Sequence, residues 1–382
     1  MRPIMPPHEW TAVTPARKEH AMNGETSAPV GPIPHAEPVK PKRGCGFWLL
    51  LVLTIFFFGC TLILLAFVCT LIGGLSESTL MTADEPTRPR KLSEVVVEGR
   101  GKDKIVLITV RGLITNDPER ELFYTVPSMV DMIKRQLDEA GKDSDVKAVL
   151  FEVDSPGGGI TASDVLYHRI ARFKKETGRK VVVLMTDLGA SGAYYMAVPA
   201  DRIVAHPTSI TGSIGVIMPL LNFTELASKV GIKSQPIKSG AMKDMGSPMR
   251  DMSKEEEKVL NGIIQEMYGR FVNIVATERK LPVERVRQLA DGRVFTGEQA
   301  HKEGLVDMLG YMEDAVAEAK RLAEVKDARV IRYQRSLSFS DFLHAAAARL
   351  MARPAVKIDL GELSGVPSGS PKPMYLWLPN TN

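Results

Sequence analysis

Residues 146–159 read VKAVLFEVDSPGGG: an apolar, β-branched run, then an acid, a serine, a proline and three consecutive glycines. Val146 to Val153 is too short for a helix and too continuously apolar for a strand with one wet face. It reads as a strand buried on both sides, the kind found in parallel sheets covered by helices. The neighbouring patterns agree. Lys180 to Thr186 (KVVVLMT) and Lys104 to Ile114 (KIVLITVRGLI) are two more such strands. Between them, Ala162 to Lys174 and Val126 to Ala140 carry helical spacing, the latter through Val130, Ile133 and Leu137. Alternation of this kind predicts an α/β domain with mostly parallel strands. Further on, Ser253 opens S-K-E-E ahead of a helix through about Glu278, and Thr296 opens T-G-E-Q ahead of another. Both have the form of a capping box, in which a hydroxyl and a later acid or amide satisfy free helix-end N–H groups.

Outward from this domain the composition changes. Gly46 to Ile72 is an uncharged apolar run that as a helix extends roughly 40 Å, enough to cross a bilayer with tilt. Its length and the extended tail before it disfavour a cleaved signal peptide, and Ser76-Glu77-Ser78 is only a weak cleavage candidate. Lys40, Lys42 and Arg43 precede the run, whereas Glu77, Asp84 and Glu85 follow it before any base. The positive-inside rule then leaves the amino end in the cytoplasm and exports the carboxyl part, giving a single-pass inner-membrane protein with a periplasmic or extracytoplasmic domain. The expected organisation is a disordered cytoplasmic tail (1–45), a transmembrane helix (46–72), a connector (73–100), the α/β domain (101–335) and a carboxyl extension (336–382).

Composition excludes several function classes. The net charge is +4, with basic and acidic residues interleaved, so no basic stripe for nucleic acid is present. The three cysteines, Cys45, Cys60 and Cys69, lie in or beside the apolar run, which leaves the domain without a disulfide framework or a cysteine metal site. His8, His20 and His35 are too scattered in the amino tail to bind a metal.

Three glycine-containing segments could carry chemistry. Asp154-Ser155-Pro156-Gly157-Gly158-Gly159 joins a strand to a helix; it is either a tight turn or a row of backbone N–H groups suited to an oxyanion. Asp187-Leu188-Gly189-Ala190-Ser191-Gly192 follows another strand. Its Ser191, flanked by small residues, is a helix N-cap, a close-packing serine or a nucleophile. A nucleophilic serine needs a base, and His168, His206, His301 and His344 all stand in helical, polar or proline-flanked contexts. Lysine can serve once its amine is neutral, and Lys238-Ser239-Gly240-Ala241-Met242-Lys243-Asp244 offers two. Spacing alone does not choose between Lys238 and Lys243.

The series SPGGG, GASGAYYMA, TGSIGVIM, KSGAMKD and SPMR, in this order, resembles the signature of the SppA signal peptide peptidases across roughly Ile105 to Tyr333. The resemblance implies a ClpP- or crotonase-like fold of repeated ββα units behind one transmembrane helix. It implies Ser191 as nucleophile, Lys243 as general base, Gly158 as oxyanion donor with Gly192 as a second candidate, and Ser213 as the hydroxyl that orients the lysine. It also implies a cofactor-free, metal-free endopeptidase acting on apolar signal-peptide remnants, and a ring-like homo-oligomer in which neighbours complete each groove. Ala193 departs from the family, where a second glycine is frequent. The competing readings are a related protease for one membrane protein, a crotonase-like acyl-CoA enzyme and a non-catalytic scaffold.

Overall fold

The computed structural model describes residues 45–80, 92–120, 125–335 and 373–377, in two units. The first contains helix α1 (Cys45–Leu80), whose stretch Trp48–Phe67 has a mean hydropathy of 2.8. Those 20 residues extend about 30 Å, long and apolar enough to cross a membrane. The helix continues eight residues beyond Ile72, into the stretch expected as connector.

The second unit is a mixed α/β sheet. Its chain order begins β1 (Leu92–Glu98), β2 (Asp103–Arg111), the short pair β3 (Glu119–Arg120) and β4 (Thr125–Val126), then α2 (Met129–Lys142). Next come β5 (Val146–Ser155), β6 (Gly157–Gly159), α3 (Ile160–Thr177), β7 (Lys180–Ala190) and α4 (Gly192–Ala197). β8 (Arg202–Ala205), β9 (Ile210–Gly212) and α5 (Thr224–Lys229) lead to the long α6 (Lys254–Arg279). The remainder is α7 (Val283–Leu289), β10 (Val294–Thr296), α8 (Gly297–Lys302), β11 (Met308–Leu309), α9 (Met312–Leu322), β12 (Ala328–Arg335) and β13 (Met374–Leu376).

The main sheet runs β1-β12-β2-β5-β7-β8-β11, with β9 on the end of β7 and β10 on β9. All neighbours are parallel except β1 with β12 and β9 with β10. The central strands alternate between two cores. Val149, Phe151 and Val153 face one side with Val130, Ile133 and Leu137 of α2 and Leu166 and Ile170 of α3. Ala148 and Leu150 face the other, against Ala315, Val316 and Ala319 of α9. Burial on both faces is what the unbroken apolar run requires.

Boundaries differ from the sequence expectation where local chemistry intervenes. The helix expected from Val126 starts at Met129, because Pro127 disfavours helix before it and the Ser128 hydroxyl caps by accepting from Asp131 N–H. β2 ends at Arg111, before Gly112 with φ +79°, and Ile114 forms a separate bridge to Gly158. β1 lies inside the expected connector and completes the sheet edge beside β12. The capping boxes at Ser253 and Thr296 are both formed. The expected amino tail, apart from Cys45, and residues 336–372 lie outside the described residues.

Phe151 is fully buried at the centre of the sheet. Phe151→Ala should lower the unfolding free energy by about 3–5 kcal/mol, read from chemical denaturation of the domain.

Candidate active site

Strand β7 runs four residues past the expected Thr186 and delivers Ser191 at its carboxyl end. There the parallel register pairs Gly189 with Thr211 and Ala190 with Gly212 of β9, so Ser191 and Ser213 stand at successive positions beyond the two strand ends. Both serines have left-handed backbones, φ 53° and 48°. Such geometry disfavours any residue with a Cβ and persists only where the surroundings enforce it. Here they do. Ser191 N–H donates to Gly212 C=O at 2.8 Å, Tyr195 N–H donates to Ser191 C=O at 2.8 Å, and Ser213 N–H donates to Arg293 C=O at 2.8 Å.

The strained turn leaves the Ser191 hydroxyl idle. Ser191 occupies the N-cap position of α4, yet its side chain makes no cap hydrogen bond and no other hydrogen bond among the described residues. The side chain therefore does not cap α4, and this buried serine keeps a hydroxyl with no hydrogen-bond partner among the described residues.

The three glycines form a strand, not a bare turn. Ile114 lines one edge of β6: its N–H donates to Gly157 C=O and its C=O accepts from Gly159 N–H, both at 2.9 Å. On the other edge, β13 pairs antiparallel, Tyr375 opposite Gly158. Since Met374 spends its N–H and C=O on Ile217, the alternation of the ladder turns Tyr375 toward Gly158. The Gly158 N–H thus faces the Tyr375 carbonyl, while the Gly192 N–H, beside the serine, has no hydrogen-bond partner among the described residues. A Cβ on Gly192 would stand 3.0 Å from Tyr375 O and 3.1 Å from Gly158 N, so the two glycines and the tail carbonyl meet at one point.

Four more residues support the site, and sequence reading gave no role to the first three. Buried Ser155 accepts from Gly157 N–H at 3.1 Å, and Ser163 donates to Gly159 C=O at 3.0 Å. Ile114 is the third. Tyr375 is the fourth: it is fully buried, stacked on Tyr195 at 4.8 Å and tilted against Phe271 at 4.7 Å, with its hydroxyl donating to Met267 C=O at 3.0 Å. The tail from Pro371 to Trp377, which the resemblance places in or near a groove, of a neighbouring subunit or on its own domain, has its Met374–Leu376 strand on this chain's own β6. Beside Ser213 a cleft of about 470 Å³ opens between Val216, Ile217, Tyr268, Leu376 and Trp377.

The phenols packed beneath the serine are poor bases. Burial pushes the Tyr195 and Tyr375 phenols far up, and the Asp164 carboxylate reinforces this for Tyr195 by accepting its O–H at 2.6 Å. His206 packs on Tyr311 with ring centres 4.9 Å apart. Lys238 donates to Asp244 at 2.6 Å, whereas Lys243, exposed in the 3₁₀ turn Ala241–Asp244, has no side-chain partner among the described residues. The single chain brings Ser191, Ser213, Gly158 and Gly192 together; it does not hydrogen-bond Lys243 to Ser191.

Comparison with known proteins adds the following. The model of Peptidase family S49 matches residues 173–326, and a mixed α/β sheet bearing that segment fits a ClpP-like fold. A protein of Enterococcus faecium that carries the name signal peptide peptidase SppA is 38% identical over 290 residues, covering 74% of this chain and 84% of that protein. Protease 4 of Salmonella typhi is 37% identical over 53% of this chain and 33% of its own length. The chloroplastic serine protease SPPA of Arabidopsis thaliana is 32% identical over 59% of this chain and 33% of its own length.

Tyr375→Ala should cost about 3–5 kcal/mol and lower the melting temperature, since it empties an aromatic site. Tyr375→Phe, losing one hydrogen bond, should cost about 1 kcal/mol. Paired thermal melts of the two variants check this.

Proposed function

The chain belongs to the SppA family of S49 peptidases and is a serine-type peptidase, and from that premise we propose that Ser191 and Lys243 form its catalytic dyad. The observation that carries the reading is the Ser191 turn: a strained backbone that presents an unengaged hydroxyl beside Ser213 and unsubstituted glycine main chain. In the reaction the neutral Lys243 amine takes the proton of the Ser191 hydroxyl as its oxygen attacks a peptide carbonyl. The oxyanion is held by glycine N–H groups: Gly192 in the chain as it stands, and Gly158 where a substrate carbonyl replaces that of Tyr375. Collapse breaks the C–N bond, and the lysine ammonium returns the proton to the leaving amine. The same amine then deprotonates water to cleave the acyl ester. Ser213, on the strand end beside Ser191, orients the ammonium.

Lysine delivery is the step that calls for a second copy. Lys243 stands in a segment whose apolar side chains are bare: Leu221, Phe223, Val230, Ile232 and Ile237 are 53%, 38%, 61%, 56% and 105% exposed. Their burial against a neighbouring subunit in a ring-like homo-oligomer would carry the lysine to the neighbour's serine. The succession β5, β6, α3, in which the second strand leaves the main sheet, supports a ClpP- or crotonase-like ββα repeat. Helix α1 anchors the protein in the inner membrane, amino end in the cytoplasm, with the sheet domain outside. The cleft beside Ser213 sets Val216, Ile217, Leu376 and Trp377 alongside the polar Gln265 and Asp291, so it offers a peptide apolar contacts, and signal-peptide remnants released at the membrane are substrates that suit both anchor and cleft.

Acylation by a serine-reactive peptide probe should vanish in Ser191→Ala and Lys243→Ala, and labelling that persists in both variants would remove the dyad. Turnover of the wild-type protein should climb as pH rises through the titration of the amine, because only the neutral form accepts a proton; a flat profile from acid to alkaline pH argues against lysine as base. Co-assembly of Ser191→Ala with Lys243→Ala chains should restore about a quarter of the sites if the lysine comes from a neighbour, and none if it comes from the same chain.

A further inference from the structure

The turn that carries Lys243 has no apolar anchor. None of the four residues Ala241–Asp244 is buried, and its internal hydrogen bonds are Lys243 N–H to Gly240 C=O at 3.1 Å and Met245 N–H to Met242 C=O at 3.2 Å. Its tether to the rest of the domain is ionic. Arg250 donates from Nε to Asp244 Oδ2 at 3.1 Å, and from Nη2 to Asp244 Oδ1 at 2.8 Å and to the Asp244 carbonyl at 3.2 Å. The same guanidinium donates from Nη1 to Glu256 Oε2 at 2.9 Å and from Nη2 to Glu256 Oε1. Glu256, with a side chain only 3% exposed, closes the capping box of α6 by accepting from Ser253 N–H at 2.9 Å. One arginine thus bolts the lysine turn to the first turn of a 26-residue helix.

Isolated surface ion pairs contribute little, but a bidentate arginine between two carboxylates, one of them buried, fixes geometry as well as charge. The charges facing the turn are Lys238 and Asp244 from the segment itself and Arg250, Asp251 and Glu256 from the loop and helix that follow. Arg250 holds the Asp244 carboxyl well below its ordinary range with help from Lys238, and holds Glu256 at about 2 with help from Ser253 N–H. Both carboxylates therefore stay ionised, and the clamp closed, well into acid. Asp244 adjoins Lys243 in sequence. A bare carboxylate there would favour the ammonium and oppose the base; a carboxylate shared by two cations is largely offset.

We propose that Arg250 is a positioning residue for Lys243, acting through Asp244 and Glu256, and that the Lys238–Asp244 ion pair withdraws the second lysine of the segment from the reaction. This rests on the reading of Lys243 as the base. The cluster has two effects: it holds the turn at the angle from which the amine can reach a serine, and it screens that amine from the adjoining carboxylate.

The test measures turnover against pH for the full chain in lipid nanodiscs, with an apolar peptidyl aminomethylcoumarin as substrate. Arg250→Met should lower kcat about 100-fold with KM nearly unchanged, as expected for a misplaced catalytic group, and should move the rising limb of the profile to higher pH. Arg250→Lys should recover part of the rate. Asp244→Asn keeps one acceptor oxygen, for the position that Lys238 and Arg250 Nη2 share, loses the one facing Arg250 Nε and removes the charge; it should move the rising limb to lower pH. A merely structural role would depress rates without shifting the two profiles in opposite directions. Arg172→Gln, which breaks an exposed ion pair on α3, should leave turnover as it was. If Lys243→Ala is dead while Arg250→Met and Asp244→Asn keep the wild-type profile, the positioning role is overturned and the dyad stands. Should Lys243→Ala turn over normally, the dyad itself fails. If Arg250→Met does not fold, as thermal melts will reveal, an unshifted Asp244→Asn profile alone overturns the proposal.

Discussion

Main chain pressed on main chain governs this molecule. At Gly158 a Cβ would stand 2.2 Å from Ile114 O, and at Gly157 it would stand 2.2 Å from Tyr375 O and 2.6 Å from Gly192 N. No rotamer relieves such overlaps, because the obstacles are backbone atoms. Three segments distant in sequence, Ile114, the β6 glycines and the 374–376 strand, are stacked so closely that only peptide groups separate them. The start of α4 must then leave β7 in one residue, and the sharp turn falls on Ser191. That the hydroxyl is left without a hydrogen bond among the described residues follows from how tightly the floor beneath it is built.

Much of this was written plainly in the sequence. The strands β2, β5 and β7 announce themselves because burial on both faces demands uninterrupted Val, Ile and Leu, and their helices because α2 and α3 alternate at helical period. What escaped was set by contacts between remote segments. β1 carries Val95, Val96 and Val97 on an exposed edge, with no alternation to betray it, and is a strand only because β12 offers a partner. β13 is three residues long, below the length at which any pattern is visible, and owes its existence to the edge of β6. The choice between Lys238 and Lys243 had no spacing rule behind it and came from the family resemblance alone; among the described residues Lys238 is engaged on Asp244, whereas Lys243 has no side-chain partner.

The two halves of the proposed dyad are held by opposite kinds of force. Ser191 sits among fully buried Ala190, Ala193, Tyr194 and Tyr195, where any displacement costs packing. The lysine turn is held by charges at the protein surface, strong in geometry but open to water and salt. Displacing the serine would open the core, whereas displacing the lysine turn would break ion pairs and leave the core intact.

The 374–376 strand has a further meaning for how the protein comes into being. The edge it supplies to the glycine floor is separated from β12 by almost forty residues, and ribosomes deliver it last among the described strands. A nascent chain that has already folded β2 through β12 holds its serine above a floor with one wall missing and the Tyr375 socket empty. Until that strand arrives the Gly158 N–H has no Tyr375 carbonyl to face, so the described strand that is made last is the one that occupies that donor.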